Sequence, residues 1–139
     1  MATNAVDVLE NARVHSTLLE SIKDCVSAFA LSARGREWSP QALDVRTAAV
    51  RAREIAGPVA FVFGNETAGL TNEEMFACQY LVHIPANPEF SSLNLAQAIQ
   101  LVAYEWRLAL GGFGVEARTP DASLADVPAV QGLLEHWEQ

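Results

Sequence analysis

The sequence predicts an α/β domain built on a parallel sheet, and three observations carry that prediction. Short apolar runs alternate with stretches of helical period. One run, Val59-Ala60-Phe61-Val62-Phe63, has no polar position, as in strands covered on both faces at the centre of a parallel sheet. That run opens directly into a glycine-bounded acidic turn, Gly64-Asn65-Glu66-Thr67-Ala68-Gly69. An open α/β sheet holds its ligand at such a place, beyond the carboxyl ends of its strands.

Residues 2–12 mix small and polar groups without a clear period. Thr17-Leu18-Leu19-Glu20 is a capping-box pattern that opens a short helix, with Leu18, Leu19 and Ile22 on one face. Residues 26–31 read as a buried strand, ending in the loop Ser32-Ala33-Arg34-Gly35-Arg36. Residues 41–55 place Leu43, Val45, Ala48, Ala49 and Ile55 among arginines and predict a helix, broken by Gly57-Pro58. After the strand at 59–63, Thr71-Asn72-Glu73-Glu74 is a second capping box. Residues 80–84 form the next strand, stopped by Pro85. Residues 93–110 predict a long, mostly buried helix, stopped by Gly111-Gly112. The chain thus divides into a domain at 1–110, a linker at 111–123, and a helical extension starting at 124–139 with Leu133, Leu134 and Trp137 as its apolar side. Three strands are few for a parallel sheet, so the fold reads as incomplete at its front end.

A chain of 139 residues, half of them apolar, supports one domain with its own core. No run approaches the roughly 18 apolar residues of a membrane span, and the N-terminus lacks a signal pattern. Both features point to a soluble, cytoplasmic protein. Cys25 and Cys78 read as buried free thiols, and His15, His83 and His136 lack metal-ligand spacing. His83, within a strand, reads as a satisfied core histidine. The net charge of −8 and pI near 4.7 oppose broad electrostatic contact with nucleic acid. A local patch of Arg34, Arg36, Arg46, Arg51 and Arg53 would act within the acidic whole; its alternative is a solvated helix face.

The turn Gly64-x4-Gly69 is not a phosphate-binding P-loop, because Leu70 stands where that motif needs Lys and Glu66 would repel phosphate. No nucleophile elbow is present for Ser-His-Asp chemistry. An acidic residue in a glycine turn suits a cationic or hydroxyl-bearing ligand, and S-adenosylmethionine is both, through its sulfonium and its ribose. The alternative for Glu66 is a turn carboxylate bonded to nearby amides. A branched side chain at Gly64 would fill space where such a ligand lies against the backbone. In Ser91-Ser92-Leu93-Asn94, helix capping accounts for one serine, but not for the second nor for Asn94 on the buried side.

Three stretches, residues 31–34, 63–74 and 84–105, together resemble the SPOUT class of RNA methyltransferases, specifically its TrmH/SpoU group on the TrmJ-like side. The resemblance covers roughly residues 2–110. It implies a parallel α/β fold with a deep C-terminal trefoil knot, an exception to the rule against threaded chains, here without the family's first strand-helix-strand unit and its catalytic arginine. It implies S-adenosylmethionine held mainly by main-chain groups at Leu31, Ser32, Ala33, Gly64, Ile84, Ser91, Ser92 and Leu93, with Glu66, Ser92 and Asn94 at polar active-site positions. The implied reaction is metal-free methyl transfer to a ribose 2′-hydroxyl of RNA by a homodimer, with tRNA favoured at an anticodon-loop nucleotide and rRNA the alternative. One departure from the TrmJ-like pattern, Ala30-Leu31 where Gly-Thr precedes Ser-Ala, is tolerated by backbone contacts. A non-catalytic knotted module that binds cofactor or RNA is the rival from a different class.

Overall fold

The computed structural model describes residues 6–33, 40–87, 89, 93–112, 114 and 125–137. Its elements are α1 (Val6–Glu10), α2 (Leu18–Ile22), β1 (Ser27–Leu31), β2 (Gln41–Asp44), α3 (Val45–Glu54), β3 (Val59–Val62), α4 (Asn72–Phe76), β4 (Tyr80–His83), α5 (Leu95–Ala109) and α6 (Val127–Trp137). The four strands make one sheet in the order β2-β4-β1-β3, and every pairing is parallel.

Period-two alternation sorts β1 between two cores. Ala28 and Ala30 face Val62, Leu70, Met75, Cys78 and Leu81, with Leu18 and Ile22 of α2 packed against them. Phe29 faces the other way, among Val45, Ala48, Ala52, Val82 and Val102, so α3 and α5 cover that side. The register sets Phe29 beside Phe61 on β3 and Tyr80 on β4. Their rings stack at 5.1 and 4.8 Å between centroids, and Trp106 of α5 meets Phe61 edge-on at 6.2 Å.

The structure departs from expectation at 41–55, at β3, and along α5, where Val102 is the one buried residue. The helix expected at 41–55 is a strand followed by a helix, because Asp44 ends β2 and caps α3. Its side chain accepts hydrogen bonds from the Arg46 and Thr47 amides at 3.0 and 3.1 Å. The all-apolar strand β3, expected in the sheet centre, stands at an edge of the four strands, and β1 with its buried run is central. The apolar pattern reports cover on both faces, which β3 has: Ala60 and Val62 join one core, Val59 and Phe61 the other. It does not report the number of neighbouring strands.

Both capping boxes start helices. At Thr71 the bonding is reciprocal with Glu74. At Thr17 it is not: Thr17 accepts from the Glu20 amide, whereas the Glu20 carboxylate takes the Ser16 amide and hydroxyl. A short helix, α1, lies where no period was legible, and none of its residues is buried. Every residue of α6 is exposed as well. Cys78 is buried and Cys25 only half-buried, both free thiols. His83 is exposed rather than a core histidine, since β4 is covered at Leu81 and Val82 but not at its last residue. Among the described residues no helix is long and apolar enough to cross a membrane.

Candidate functional site

Because the sheet is parallel, the carboxyl ends of β1, β3 and β4 open on the same side. A pocket lies there. Its walls are Leu31, Ser32 and Ala33 after β1, the whole turn from Phe63 to Leu70 after β3, Val82 and Ile84 at the end of β4, and Leu93, Leu95 and Ala98 at the start of α5. The walls are mostly aliphatic, and Glu66 is the one ionisable side chain among these lining residues.

The turn after β3 is closed by its own backbone and by Asn65. The Asn65 carbonyl accepts from the Gly69 amide at 3.0 Å, forming an isolated antiparallel bridge. The Asn65 side-chain oxygen accepts from the Thr67 amide at 3.1 Å and the Ala68 amide at 2.7 Å. Gly69 takes φ +69°, the left-handed region that favours glycine. The turn folds back so tightly that a β-carbon on Gly64 would lie 2.1 Å from the Gly69 carbonyl carbon and 2.4 Å from the Leu70 nitrogen. The expected reason for glycine at 64, room for a ligand, is therefore replaced by a nearer one: the chain's own returning backbone occupies that space.

Of the expected cofactor positions, Leu31, Ser32, Ala33, Gly64, Ile84 and Leu93 converge on this pocket, and so does Glu66. Ser91 and Ser92 lie outside the described residues. Asn94 is not among the lining residues. It is exposed rather than on a buried side, and its side-chain oxygen accepts from the Ala96 amide at 2.9 Å as the N-cap of α5. The oxygen that satisfies turn amides belongs to Asn65, not to Glu66. The signal for Asn65 is local: an Asn two and three residues before amides in a glycine turn is the pattern of an Asx turn.

The arginines sort towards the solvated-face alternative. Arg46 pairs with Glu105 of α5 through two hydrogen bonds of 3.2 Å, and Arg51 pairs with Glu54 one turn away. The Glu105 hydrogen bond, with its charge, raises the Arg46 pKa above the ordinary arginine value. Arg53 is exposed; Arg34 and Arg36 lie outside the described residues. No group of three or more His, Cys, Asp or Glu among the described residues is placed to hold a metal ion.

Residues 1–104 match the model of the SpoU rRNA methylase family. A curated relative from Pseudomonas aeruginosa, the tRNA (cytidine/uridine/adenosine-2′-O-)-methyltransferase TrmJ, is 49% identical over 111 residues, covering 78% of this chain and 43% of its own. The crystal structure of TrmJ from Z. mobilis superposes with a TM-score of 0.73 at 35% identity, over 99% of this chain and 57% of that one. A structure concerned with 2-OH methylation of C/U34 on tRNA matches at 28% identity and a TM-score of 0.54, over 71% of this chain and 59% of that one. The chain spans about half the length of the curated relatives it matches.

Proposed function

The chain belongs to the SpoU rRNA methylase family, and from that premise we propose that it is an S-adenosylmethionine-dependent RNA ribose 2′-O-methyltransferase acting on an anticodon-loop nucleotide of tRNA. One observation carries the reading. Three groups of residues distant in sequence, Leu31 to Ala33, Phe63 to Leu70, and Val82 and Ile84 with Leu93, Leu95 and Ala98, close around a pocket, and among these described residues the only ionisable side chain is the Glu66 carboxylate. Aliphatic walls suit an adenine ring, main-chain groups at strand ends suit ribose and carboxylate, and Glu66 suits a cationic sulfonium. The relatives' tRNA substrates, and position 34 in particular, favour the anticodon loop over ribosomal RNA.

S-adenosylmethionine supplies an electrophilic methyl group. In that transfer a bond would form between the ribose 2′-oxygen and the methyl carbon, the sulfur–methyl bond would break, and the hydroxyl proton would leave to a base or to water. The residues of the chain then have three tasks: bind the cofactor at Leu31, Ser32, Ala33, Gly64, Ile84, Ser91, Ser92 and Leu93, align the hydroxyl, and ease its deprotonation. Glu66, Ser92 and Asn94 are assigned to the last two, and the Glu66 carboxylate also serves the first by attracting the cationic sulfonium. The deep trefoil knot belongs to this proposal, with α5 threaded through the loop before it. So does a homodimer, for which the exposed apolar row Leu101, Tyr104 and Leu108 along α5 offers a surface.

Titration of the protein with S-adenosylmethionine and its demethylated product tests the cofactor assignment, and transfer of labelled methyl to a tRNA pool tests the activity. Absence of binding to either compound removes the proposal. Binding without transfer to any RNA points to the non-catalytic module instead.

A further inference from the structure

We propose that Asn65 is a positioning residue that acts through Glu66: its side-chain oxygen locks the turn so that the Glu66 carboxylate stays aimed at a cationic ligand in the pocket. The assignment rests on the cofactor reading above. Its evidence is geometric. The Asn65 side-chain oxygen accepts from the Thr67 and Ala68 amides at 3.1 and 2.7 Å, and the ring closed by the first of these bonds contains Glu66. With the 3.0 Å bond from the Gly69 amide to the Asn65 carbonyl, three successive amides converge on one residue. Those amides are already bonded and are not donors for a ligand. What the turn can offer a cation is the Glu66 side chain, itself exposed and with no turn amide as partner.

An exposed carboxylate attracts a cation strongly only when its backbone is held, because otherwise its conformational freedom and water screening dilute the interaction. Asn65 supplies that hold from within the turn. Asp can make the same Asx turn, and Leu, of similar size, cannot.

The test is a double-mutant cycle on cofactor affinity with Asn65→Leu, Glu66→Gln and the double variant, plus Asn65→Asp as the conservative change. Asn65→Leu is expected to weaken S-adenosylmethionine binding about tenfold, the scale of losing hydrogen bonds that fix a charged group. Asn65→Asp is expected to restore it to within about threefold, since the acceptor is retained. Glu66→Gln should matter in the parent protein and hardly at all once Asn65 is Leu, and this coupling should vanish for the uncharged demethylated product. A residue that only supports folding would give additive losses that follow the melting temperature for both compounds. Additive effects, or an Asn65→Asp variant no better than Asn65→Leu, overturn the assignment and leave the cofactor reading standing. A parent protein that binds neither compound removes that reading, and this assignment with it.

Discussion

The α-carbon of Gly64 faces the peptide between Gly69 and Leu70 so closely that a β-carbon there would stand 2.4 Å from the Leu70 nitrogen. That approach holds the two ends of the site turn together. Gly64→Ala therefore forces backbone to move, since the obstructing atoms are main chain and not the end of a flexible side chain. The expected cost is about 1–3 kcal/mol of stability, as for overpacked sites, together with loss of cofactor binding. Thermal melting and calorimetric titration check this; an Ala variant with parental melting and affinity would show that the turn yields without cost.

Asn94 and Glu66 are separated by their structural duties. Asn94 caps α5, so Asn94→Ala is expected to cost about 1 kcal/mol whatever its effect on turnover. Asn94→Ser keeps a capping oxygen, and a loss of methyl transfer in that variant beyond the loss of stability is the signature of a chemical role. Glu66→Gln, at an exposed turn position, should leave stability within about 0.5 kcal/mol. Turnover is expected to fall at least about tenfold if the carboxylate assists deprotonation or aligns the hydroxyl. Unchanged turnover removes Glu66 from the catalytic set.

The forked pair between Arg46 and Glu105 ties α3 to α5. Glu105 is only 13% exposed, whereas its partner is 75% exposed. Arg46→Ala leaves a mostly covered carboxylate without its donor, so it should lower the melting temperature more than Arg51→Ala, which loses only an exposed pair within one helix. Equal melting temperatures for the two variants would contradict this.

Asp44 carries a pH dependence. The Thr47 hydroxyl, the Thr47 amide and the Arg46 amide bond its carboxylate and hold its pKa below the usual 3.8. A depressed folded-state pKa gives stability that is complete above the unfolded value and lost as pH falls through the folded one. The acid limb of the unfolding profile, below about pH 4, should therefore flatten in Asp44→Asn. An identical acid limb in parent and variant would refute this.

Cys78 is pushed up to about 11 from 9.0, first by burial and then by the nearby Glu74 charge. The neutral thiol is favoured in the folded protein, so this contribution is present below the ordinary value and lost as pH rises from 9.0 towards 11. Reaction with a thiol reagent at pH 8 should label half-buried Cys25 well before Cys78. Labelling of both at one rate would indicate that the core around Met75 and Leu81 opens readily.

Local chemistry in the chain determined much of this molecule. Apolar runs at 59–63 and 80–84 marked strands, Thr71 and Glu74 marked a helix start, and the glycine turn with Glu66 marked a stretch that lines a pocket. Each of these signals lies within a few residues, where steric and hydrogen-bonding preferences act directly. What only the tertiary structure decided depends on contacts across the sequence. That β1 rather than β3 is central follows from pairing partners up to 51 positions away, Phe29 with Tyr80 as well as with Phe61. A four-residue strand such as β2 has too few positions to display a period, so Asp44 and its cap become legible only beside β4. And the need for glycine at 64 came from the returning Gly69–Leu70 backbone, because a close approach between two chain segments exists only once the turn has folded.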